Sequence, residues 1–481
     1  MKNDLLRIGC AAGFSGDRTD AAGPVVDALI AAGGPAFLIF ETLAERTLAL
    51  AQLARRSDPA AGYEPLLVDI LRPVLGRCLA HGCARSDPAA GYEPLLVDIL
   101  RPVLGRCLAH GVRIVSNFGA ANPEGAARRI HVLARDLGLP APRIAIVQGD
   151  DVSGPAHRPL LEQAVGERFS TLDVVSANAY QGAEAIADAL IAGADIVVCG
   201  RVADPSLAVG PALAHFGWSR NDWTRLARAT MAGHLLECGA QVTGGYYADP
   251  GYKDVAGLAS LGYPIAEIDA DGNCTITKPA GTGGRIDAHT VKEQLLYEVD
   301  DPAAYFTPDV IAGITDAEVT ELGPDRVRLT GVRGHPRPAN LKVNVCHATG
   351  WLAEGEISYA GARAEGRARL AAQVLKERLA GLGQLRVDLI GVSSIFADDA
   401  GQWLAAHPDS GAEDVRLRVA MNHRERASAE QLGREVTALY TCGPAGGGGV
   451  RTALRQRLGT VSCALSRDRA PTSFQFVEAA V

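Results

Sequence analysis

The segment Leu172–Ser206, LDVVSANAYQGAEAIADALIAGADIVVCGRVADPS, contains the pattern that decides the fold. Two short apolar runs, Leu172–Ser176 and Asp195–Cys199, flank AEAIADALIAGA, which has the apolar spacing of an amphipathic helix. A helix between two short buried strands is a βα unit, and such units build parallel sheets. The segment therefore predicts a parallel sheet with helices packed against it.

The same alternation runs through the first half of the chain. Further apolar runs lie at Leu6–Cys10, Ala36–Phe40, Val112–Ser116 and Arg143–Val147, with helical patterns between them. A doubly wound open sheet and a (β/α)₈ barrel both fit this alternation. We favour the open sheet, because only about six units precede a change of pattern near Trp218.

Beyond that change the pattern is typical of an α+β domain. PIAEIDADGNCTITKP predicts a hairpin, and DRVRLTGVRG, LKVNVCHATG, GEISYAG and VRLRVAMN predict further strands. Ala362–Leu382 and SAEQLGREVTALY predict helices, and Val387–Ser393 predicts another strand. We therefore expect an α/β domain over residues 1–240 and a smaller α+β domain over residues 241–481, with helices on one face of its sheet.

One block of sequence occurs twice. RSDPAAGYEPLLVDILRPVLGRCLAHG spans Arg56–Gly82 and again Arg85–Gly111, without a substitution. A structural repeat needs roughly three or more copies to share a core, and old copies diverge at exposed positions. The identity indicates a recent in-frame duplication or an assembly error. Each copy predicts one helix, kinked at Pro73 in the first, and we expect one copy to pack while the other extrudes from the surface.

Composition excludes several classes of protein. The 481 residues carry a net charge of −8, which argues against a nucleic-acid partner. The N-terminus lacks the apolar region of a secretory signal, and the most apolar stretch, PVVDALIAAGGPAFLIF, is too interrupted to span a membrane. Ten Cys without a CxxC pair predict reduced thiols. We expect a cytoplasmic homo-oligomer that binds a small molecule, and we assign no residue as a metal ligand.

Polar residues follow the predicted strands at the edge where α/β proteins bind ligands. They are Asn117, Gln148 to Asp151, Asn178 to Tyr180, Arg201 and Asp204. We predict catalytic roles for Asp150, Asn178, Arg201 and Asp204. Neighbouring carboxyl groups raise each other's pKa, which suits acid–base chemistry, although the adjacent Asp150 and Asp151 are expected to point apart. Asp204 also fits a helix cap.

The segment GHLLECGAQVTGG adds a second candidate pair. His234 and Glu237 are three residues apart and share one face of a helix, with Cys238 one turn from His234. The pair could transfer protons or contribute to a metal site, and the plainer alternative is a buried histidine bonded to a carboxylate. We predict a catalytic role for both residues.

The first strand leads into a glycine-rich turn, GCAAGFSGDRTD. Free backbone N–H groups in such a turn can hold a phosphate, so Gly13, Gly16 and Arg18 are predicted to bind an anion. The spacing does not match a dinucleotide fingerprint, and a tight turn with Asp20 as the helix cap fits equally well. Glu41, after the second strand, could hold a ribose or cap the next helix.

Two further glycine-rich loops carry basic residues. KPAGTGGR begins at Lys278 and leads towards a helix, and CGPAGGGGVR ends at Arg451, before a predicted Arg-rich helix. Either loop could hold a phosphate or a carboxylate. The predicted anion-binding residues are Lys278, Thr282, Gly283, Gly447, Gly448 and Arg451.

From about Arg7 to about Val450 the chain resembles the acyclic terpene utilisation family AtuA, in which the duplicated block occurs once. The motifs that carry the resemblance are RIGCAAGFSGDRTD, ETLAERTLALAQLARR, VRIVSNFGAANP, SANAYQGAEAI, GRVADPSL, GHLLECGAQVTGGYYADPGYKDV, KPAGTGG, TVKEQLLYEV, GEISYAG and LYTCGPAGGGGVR. The family takes its name from gene clusters that degrade citronellol- and geraniol-like compounds through acyl-CoA intermediates.

The resemblance implies an enzyme that acts on a branched acyl-CoA thioester or a related acid by hydration, lysis or hydrolysis. In that interpretation the glycine loops hold CoA phosphates or a carboxylate. Arg201 or Lys278 stabilises an oxyanion, and Asp204, Asp150 or Glu237 transfers protons. An NAD(P)-dependent oxidoreductase and a non-catalytic scaffold subunit of the pathway are the alternatives.

Overall fold

The computed structural model describes residues 5–57, 91–397, 402–407 and 410–479. The strands are β1 Leu6–Cys10, β2 Ala36–Phe40, β3 Arg113–Ser116, β4 Ile144–Gln148, β5 Asp173–Ala179, β6 Ile196–Cys199, β7 Ile265–Ile268, β8 Cys274–Thr277, β9 Tyr305–Phe306, β10 Ile311–Gly313, β11 Glu318–Gly323, β12 Arg326–Thr330, β13 Arg333–His335, β14 Asn340–Ala360, β15 Leu385–Ile390, β16 Asp414–His423, β17 Gly448–Ser466 and β18 Ser473–Val477. The helices are α1 Ala22–Ala32, α2 Glu45–Ser57, α3 Leu96–Leu100, α4 Leu104–His110, α5 Pro123–Asp136, α6 Arg158–Val165, α7 Glu184–Ile191, α8 Ser206–Phe216, α9 Trp223–Glu237, α10 Ala288–Leu296, α11 Ala364–Arg378, α12 Gln402–Ala406 and α13 Arg426–Cys442.

The largest sheet has ten strands in the order β11-β12-β8-β7-β1-β2-β3-β6-β4-β18. The five strands β1, β2, β3, β6 and β4 are parallel to one another, and β7 and β18 flank them in antiparallel orientation. In the described residues the sheet is an open path and no closed barrel forms. The predicted α/β class is confirmed at this level.

Helices cover both faces of the parallel strands because side chains alternate along each strand. Ile8, Phe37 and Ile39 pack with α7, α8 and α9 in one core. Leu38 and Phe40, from the same strand β2, pack with α1, α3, α4 and α5 in another. The strand β2 is thus apolar on both sides, as its unbroken apolar sequence predicts.

Three expectations about individual strands are corrected. The run Leu172–Ser176 forms β5, but β5 pairs with β14 instead of joining the parallel sheet. The hairpin β7–β8 forms as predicted, yet it extends the large sheet through the antiparallel pair β1–β7. LKVNVCHATG and GEISYAG, which we predicted as two strands, belong to the single strand β14.

The second copy of the duplicated block packs into the core, with Leu96, Ile99, Leu104 and Cys107 all buried. It forms the two short helices α3 and α4 instead of one, because Pro102 occupies the position at which the first copy has Pro73. Gly111 ends α4 with a φ of 67°, as predicted. From residue 58 onwards the first copy lies outside the described residues. The prediction that one copy extrudes from the surface therefore stays a prediction.

The contacts divide the chain into two compact units. Unit 1 contains residues 1–171, 175–346 and 460–481, and unit 2 contains residues 172–174 and 347–459. In unit 2, α11 and α13 pack on one face of strands β14, β15 and β16. Both units are discontinuous in sequence, and the predicted boundary between residues 240 and 241 stays a prediction. Among the described helices none combines the length and the apolar character needed to cross a membrane.

Candidate functional site

Parallel strands bring polar residues together at one edge of the large sheet. Glu41 follows β2, Asn117 follows β3, Asp150 follows β4 and Arg201 follows β6. All of these strands are parallel, so their carboxyl ends meet at the same edge. The four residues therefore lie at one edge of the sheet. Glu41 and Arg201 line one cavity of unit 1, and Asp150 lines a second one.

The larger cavity has a volume of about 960 Å³. Predicted residues on its wall are Gly13, Arg201, Asp204 and Glu237. Aromatic side chains and further carboxyl groups complete it. Among the described residues they are Phe14, Asp17, Glu41, Tyr180, Tyr246, Tyr263, Tyr297, Glu298, Tyr305 and Phe306.

The guanidinium of Arg201 forms hydrogen bonds with neighbouring groups of the protein. Its Nε donates to the Val202 carbonyl at 2.9 Å, and its two Nη groups donate to the carbonyls of Val202 and Leu43 and to the carboxylate of Asp204. The guanidinium lies 4.7 Å from the centre of the Tyr180 ring. Its side chain is only 1% exposed, whereas that of Asp204 is 35% exposed. Arg201 thus holds Asp204 at the cavity, with at least four of its five N–H donors used inside the protein.

Glu41 is buried beside this pair. Its Oε1 accepts hydrogen bonds from the Leu43 amide at 2.8 Å and from Asn117 Nδ2 at 2.7 Å. Burial and the nearby Asp204 charge raise the pKa of Glu41 to about 8, against the opposing effect of Arg201. Glu41 is therefore a protonated carboxyl group near neutral pH.

His234 and Glu237 form the predicted helical pair. His234 Nδ1 lies 2.9 Å from Glu237 Oε1, and His234 packs against Tyr305 with ring centres 5.2 Å apart. Burial lowers the pKa of His234, but the charge and hydrogen bond of Glu237 raise it, and the net direction is upward. Burial raises the pKa of Glu237 to about 7, with His234 opposing. Glu237 Oε2 is buried without a hydrogen-bond partner in the described residues, and such an atom in a residue that lines the cavity is an unusual and costly feature.

Cys238 also lines the larger cavity. Burial and the neighbouring Glu237 charge raise the pKa of the Cys238 thiol. A thiol that stays protonated is a poor nucleophile. Carboxyl groups are therefore the better-suited reactive groups of this cavity.

Asp150 and Asn178 meet at the smaller cavity, which has a volume of about 270 Å³. Asp150 Oδ2 accepts hydrogen bonds from Asn178 Nδ2 at 3.0 Å and from the Arg201 amide at 2.9 Å. Burial raises the pKa of Asp150 to about 6. Asp151 also lines this cavity, and its Oδ1 accepts hydrogen bonds from the amide and the hydroxyl of Ser153. The predicted catalytic residues thus fall into two groups, joined through the Arg201 backbone.

The first glycine turn touches the larger cavity only in part. A Cβ on Gly13 would lie 2.3 Å from the Cys238 carbonyl carbon, so this position requires glycine. Gly16 has a φ of 92°, and Arg18 pairs with Asp20 and bonds the Ala259 carbonyl. The cap of α1 is Ala21 rather than Asp20, which corrects the alternative interpretation of this turn.

Lys278, Thr282 and Gly283 lie together in one loop. Lys278 Nζ donates to the Thr282 carbonyl at 3.0 Å and lies 3.1 Å from an Asp325 carboxylate oxygen. Thr282 Oγ1 donates to the Pro279 carbonyl at 2.6 Å. These polar groups stabilise the loop itself, and anion binding here stays a prediction.

Gly447, Gly448 and Arg451 belong to unit 2. The predicted helix after them is absent from the described structure, in which Gly448 begins the long strand β17. This corrects the interpretation of the loop as the start of a helix. A Cβ on Gly447 would lie 2.8 Å from Ile357 Cδ1, so close packing accounts for this glycine.

Sequence reasoning gave little weight to Glu41, and it did not single out Glu298 or Tyr305. Glu41 follows β2 directly, and the strand-end argument could have assigned it to the same site as Arg201. Glu298 lies within the family motif TVKEQLLYEV, which could have marked it, whereas Tyr305 lies outside the quoted motifs. Among the described residues no group of three or more His, Cys, Asp or Glu side chains could hold a metal ion.

Comparison with protein families gives a match over most of the chain. The family model described as "Acyclic terpene utilisation family protein AtuA" matches residues 6–84 and residues 80–476. The two matched segments overlap close to the end of the first copy of the duplicated block. Comparisons with curated proteins and with solved structures found no significant match.

Proposed function

The chain belongs to the acyclic terpene utilisation family AtuA, and on that premise we propose that it is an enzyme acting on the acyl chain of a branched acyl-CoA thioester or carboxylate. The observation that carries the proposal is the larger cavity, which Glu41, Asp204 and Glu237 line together and in which the charge of Asp204 raises the pKa of both glutamates. We interpret the parallel strands with helices on both faces as doubly wound, and such sheets bind ligands at this edge.

The proposed chemistry is addition or removal of water by acid–base catalysis. One carboxyl group gives a proton to a carbon next to the acyl carbonyl, while a carboxylate takes a proton from the attacking water, so that H and OH add across a double bond. Glu237 is suited to either role, since its pKa of about 7 is near the working pH and its Oε2 has no protein partner in the described residues. Asp204, oriented by Arg201, is the second group.

The experiment measures solvent hydrogen in the acyl chain. Citronellyl-CoA and its α,β-unsaturated counterpart are incubated with the full-length protein in D₂O and analysed by mass spectrometry. We expect deuterium incorporation or addition of D₂O with the wild type, and a decrease of about 10²-fold or more with Glu237→Gln. Glu162→Gln is the matched control, because Glu162 pairs with Arg158 on the exposed face of α6.

An unchanged rate with Glu237→Gln would contradict the assignment of this residue. Absence of any isotope change with the wild type would contradict the proposed chemistry. A nicotinamide bound to the purified protein would favour the oxidoreductase, and a chain that does not bind CoA thioesters would favour the scaffold subunit. Cytoplasmic location, a homo-oligomeric state and the lack of a nucleic-acid partner stay predictions.

A further inference from the structure

The charge balance of the larger cavity restricts the ligand it accepts. Among the described lining residues there are five carboxyl side chains, Asp17, Glu41, Asp204, Glu237 and Glu298, and two cationic ones, Arg201 and Lys342. The donors of Arg201 are committed to protein carbonyls and to Asp204. A carboxylate ligand would therefore find few cationic groups to pair with, and it would lie among carboxyl groups of which two, Glu41 and Glu237, already resist ionisation.

The rim of the cavity has the opposite character. Phe14, Tyr246 and Phe306 line it and are 57%, 87% and 65% exposed. Tyr246 has a φ of 58°, a left-handed conformation that is unfavourable for a bulky residue. Backbone strain of this kind occurs often at ligand-binding positions. The exposed rings offer an apolar surface next to the acidic interior.

We infer that the larger cavity binds the uncharged polar end of an amphipathic molecule, a thioester or amide carbonyl or a hydroxyl, and excludes a free carboxylate, while the rim holds its apolar chain. This inference rests on the proposed function and narrows its substrate class, because it removes the carboxylate and keeps the thioester. The CoA phosphates of such a substrate lie outside the acidic cavity.

The two buried carboxyl groups support this inference independently of the ligand. Glu41 and Glu237 resist ionisation because burial and neighbouring carboxylates disfavour negative charge. The same surroundings disfavour the negative charge of a bound carboxylate. A protonated carboxyl group such as that of Glu237 can donate a hydrogen bond to a carbonyl or hydroxyl oxygen, which a carboxylate ligand does not need.

The test compares three ligands that share one chain and differ in the head group: citronellol, citronellamide and citronellate. Their dissociation constants are measured by calorimetry at pH 8 with the full-length wild type. We expect the alcohol and the amide to bind at least about tenfold more tightly than the carboxylate, the ratio produced by one unfavourable charge contact of moderate strength. Equal or tighter binding of the carboxylate would overturn the inference.

Variants distinguish recognition of the head group from recognition of the apolar chain. Glu237→Gln should bring citronellate closer to citronellamide by about fivefold or more, because it removes a charge and keeps the shape. Asp204→Asn is the second variant, since its partly exposed side chain can be changed if Glu237→Gln fails to fold. Phe306→Ala should weaken all three ligands without changing their ratio, and Glu162→Gln should change nothing.

The outcome is independent of the isotope experiment. Tight binding of citronellate would overturn the inference that the cavity excludes a carboxylate. The proposed acid–base chemistry would still be tested by the experiment in D₂O. Failure of all three ligands to bind, with deuterium still incorporated into the thioester, would also overturn the inference, because recognition would then not depend on the acyl unit alone.

Discussion

Replacing Glu41 by glutamine should change how the stability of the protein depends on pH. In the folded chain the pKa of Glu41 is raised from 4.5 to about 8, first by burial and then by Asp204. Between these values the folded state keeps a proton that the unfolded state releases, so stability falls as pH rises through this window. At about 1.36 kcal/mol per pH unit, the free energy of unfolding falls by up to about 5 kcal/mol over this interval.

Glutamine cannot ionise, and its carbonyl oxygen can still accept from the Leu43 amide and Asn117 Nδ2. We therefore expect Glu41→Gln to gain stability relative to the wild type as pH rises from 5 to 8, while losing activity. The assay is urea unfolding at pH 5, 6, 7 and 8, followed by tryptophan fluorescence. Glu124→Gln, an exposed residue on α5, is the control. Parallel pH curves for Glu41→Gln and wild type would refute the buried, protonated state of Glu41.

Two further predictions concern the backbone. Gly13→Ala should destabilise the protein by about 1–3 kcal/mol and reduce activity, because its Cβ would lie 2.3 Å from the Cys238 carbonyl carbon. Gly154→Ala, where no atom lies within 4 Å of the added Cβ, should leave urea unfolding unchanged, and equal effects of the two would contradict the close contact. Deletion of residues 56–84 should change the free energy of unfolding by no more than about 1 kcal/mol, because the second copy supplies α3 and α4 and connection length has a weak effect. A loss of several kcal/mol in urea unfolding would show that the first copy contributes to the fold.

The parallel core was predictable from sequence because its signal is local. Each of β1, β2, β3, β4 and β6 is a short apolar run beside a helical pattern, and this pattern alone indicates a strand buried on both faces. β5 has the same local signal, yet it pairs with β14, which lies far along the chain. Local composition gives no information about a pairing with such a distant segment, and the prediction that β5 joins the parallel sheet was therefore wrong.

The prediction for the segment that forms β17 was wrong for a different reason. Its side chains are mostly exposed or half-buried, and neither a buried run nor a clean alternation marks it. Arginines on a solvated strand resemble arginines on a solvated helix, which is why the sequence predicted a helix after the four glycines. The assignment of an anion site to this loop depended on that helix and loses its argument with it.

The candidate site shows where strand-end reasoning stops. Parallel strands must bring Glu41, Asn117, Asp150 and Arg201 to one edge, and the sequence was sufficient for that step. The sequence could not assign each residue to one of the two cavities. A residue at a strand end can form a hydrogen bond through its backbone near one cavity and through its side chain near the other. Arg201 does both: its amide holds Asp150, and its guanidinium holds Asp204. A change at Asp150 is therefore expected to reach the larger cavity through the Arg201 backbone.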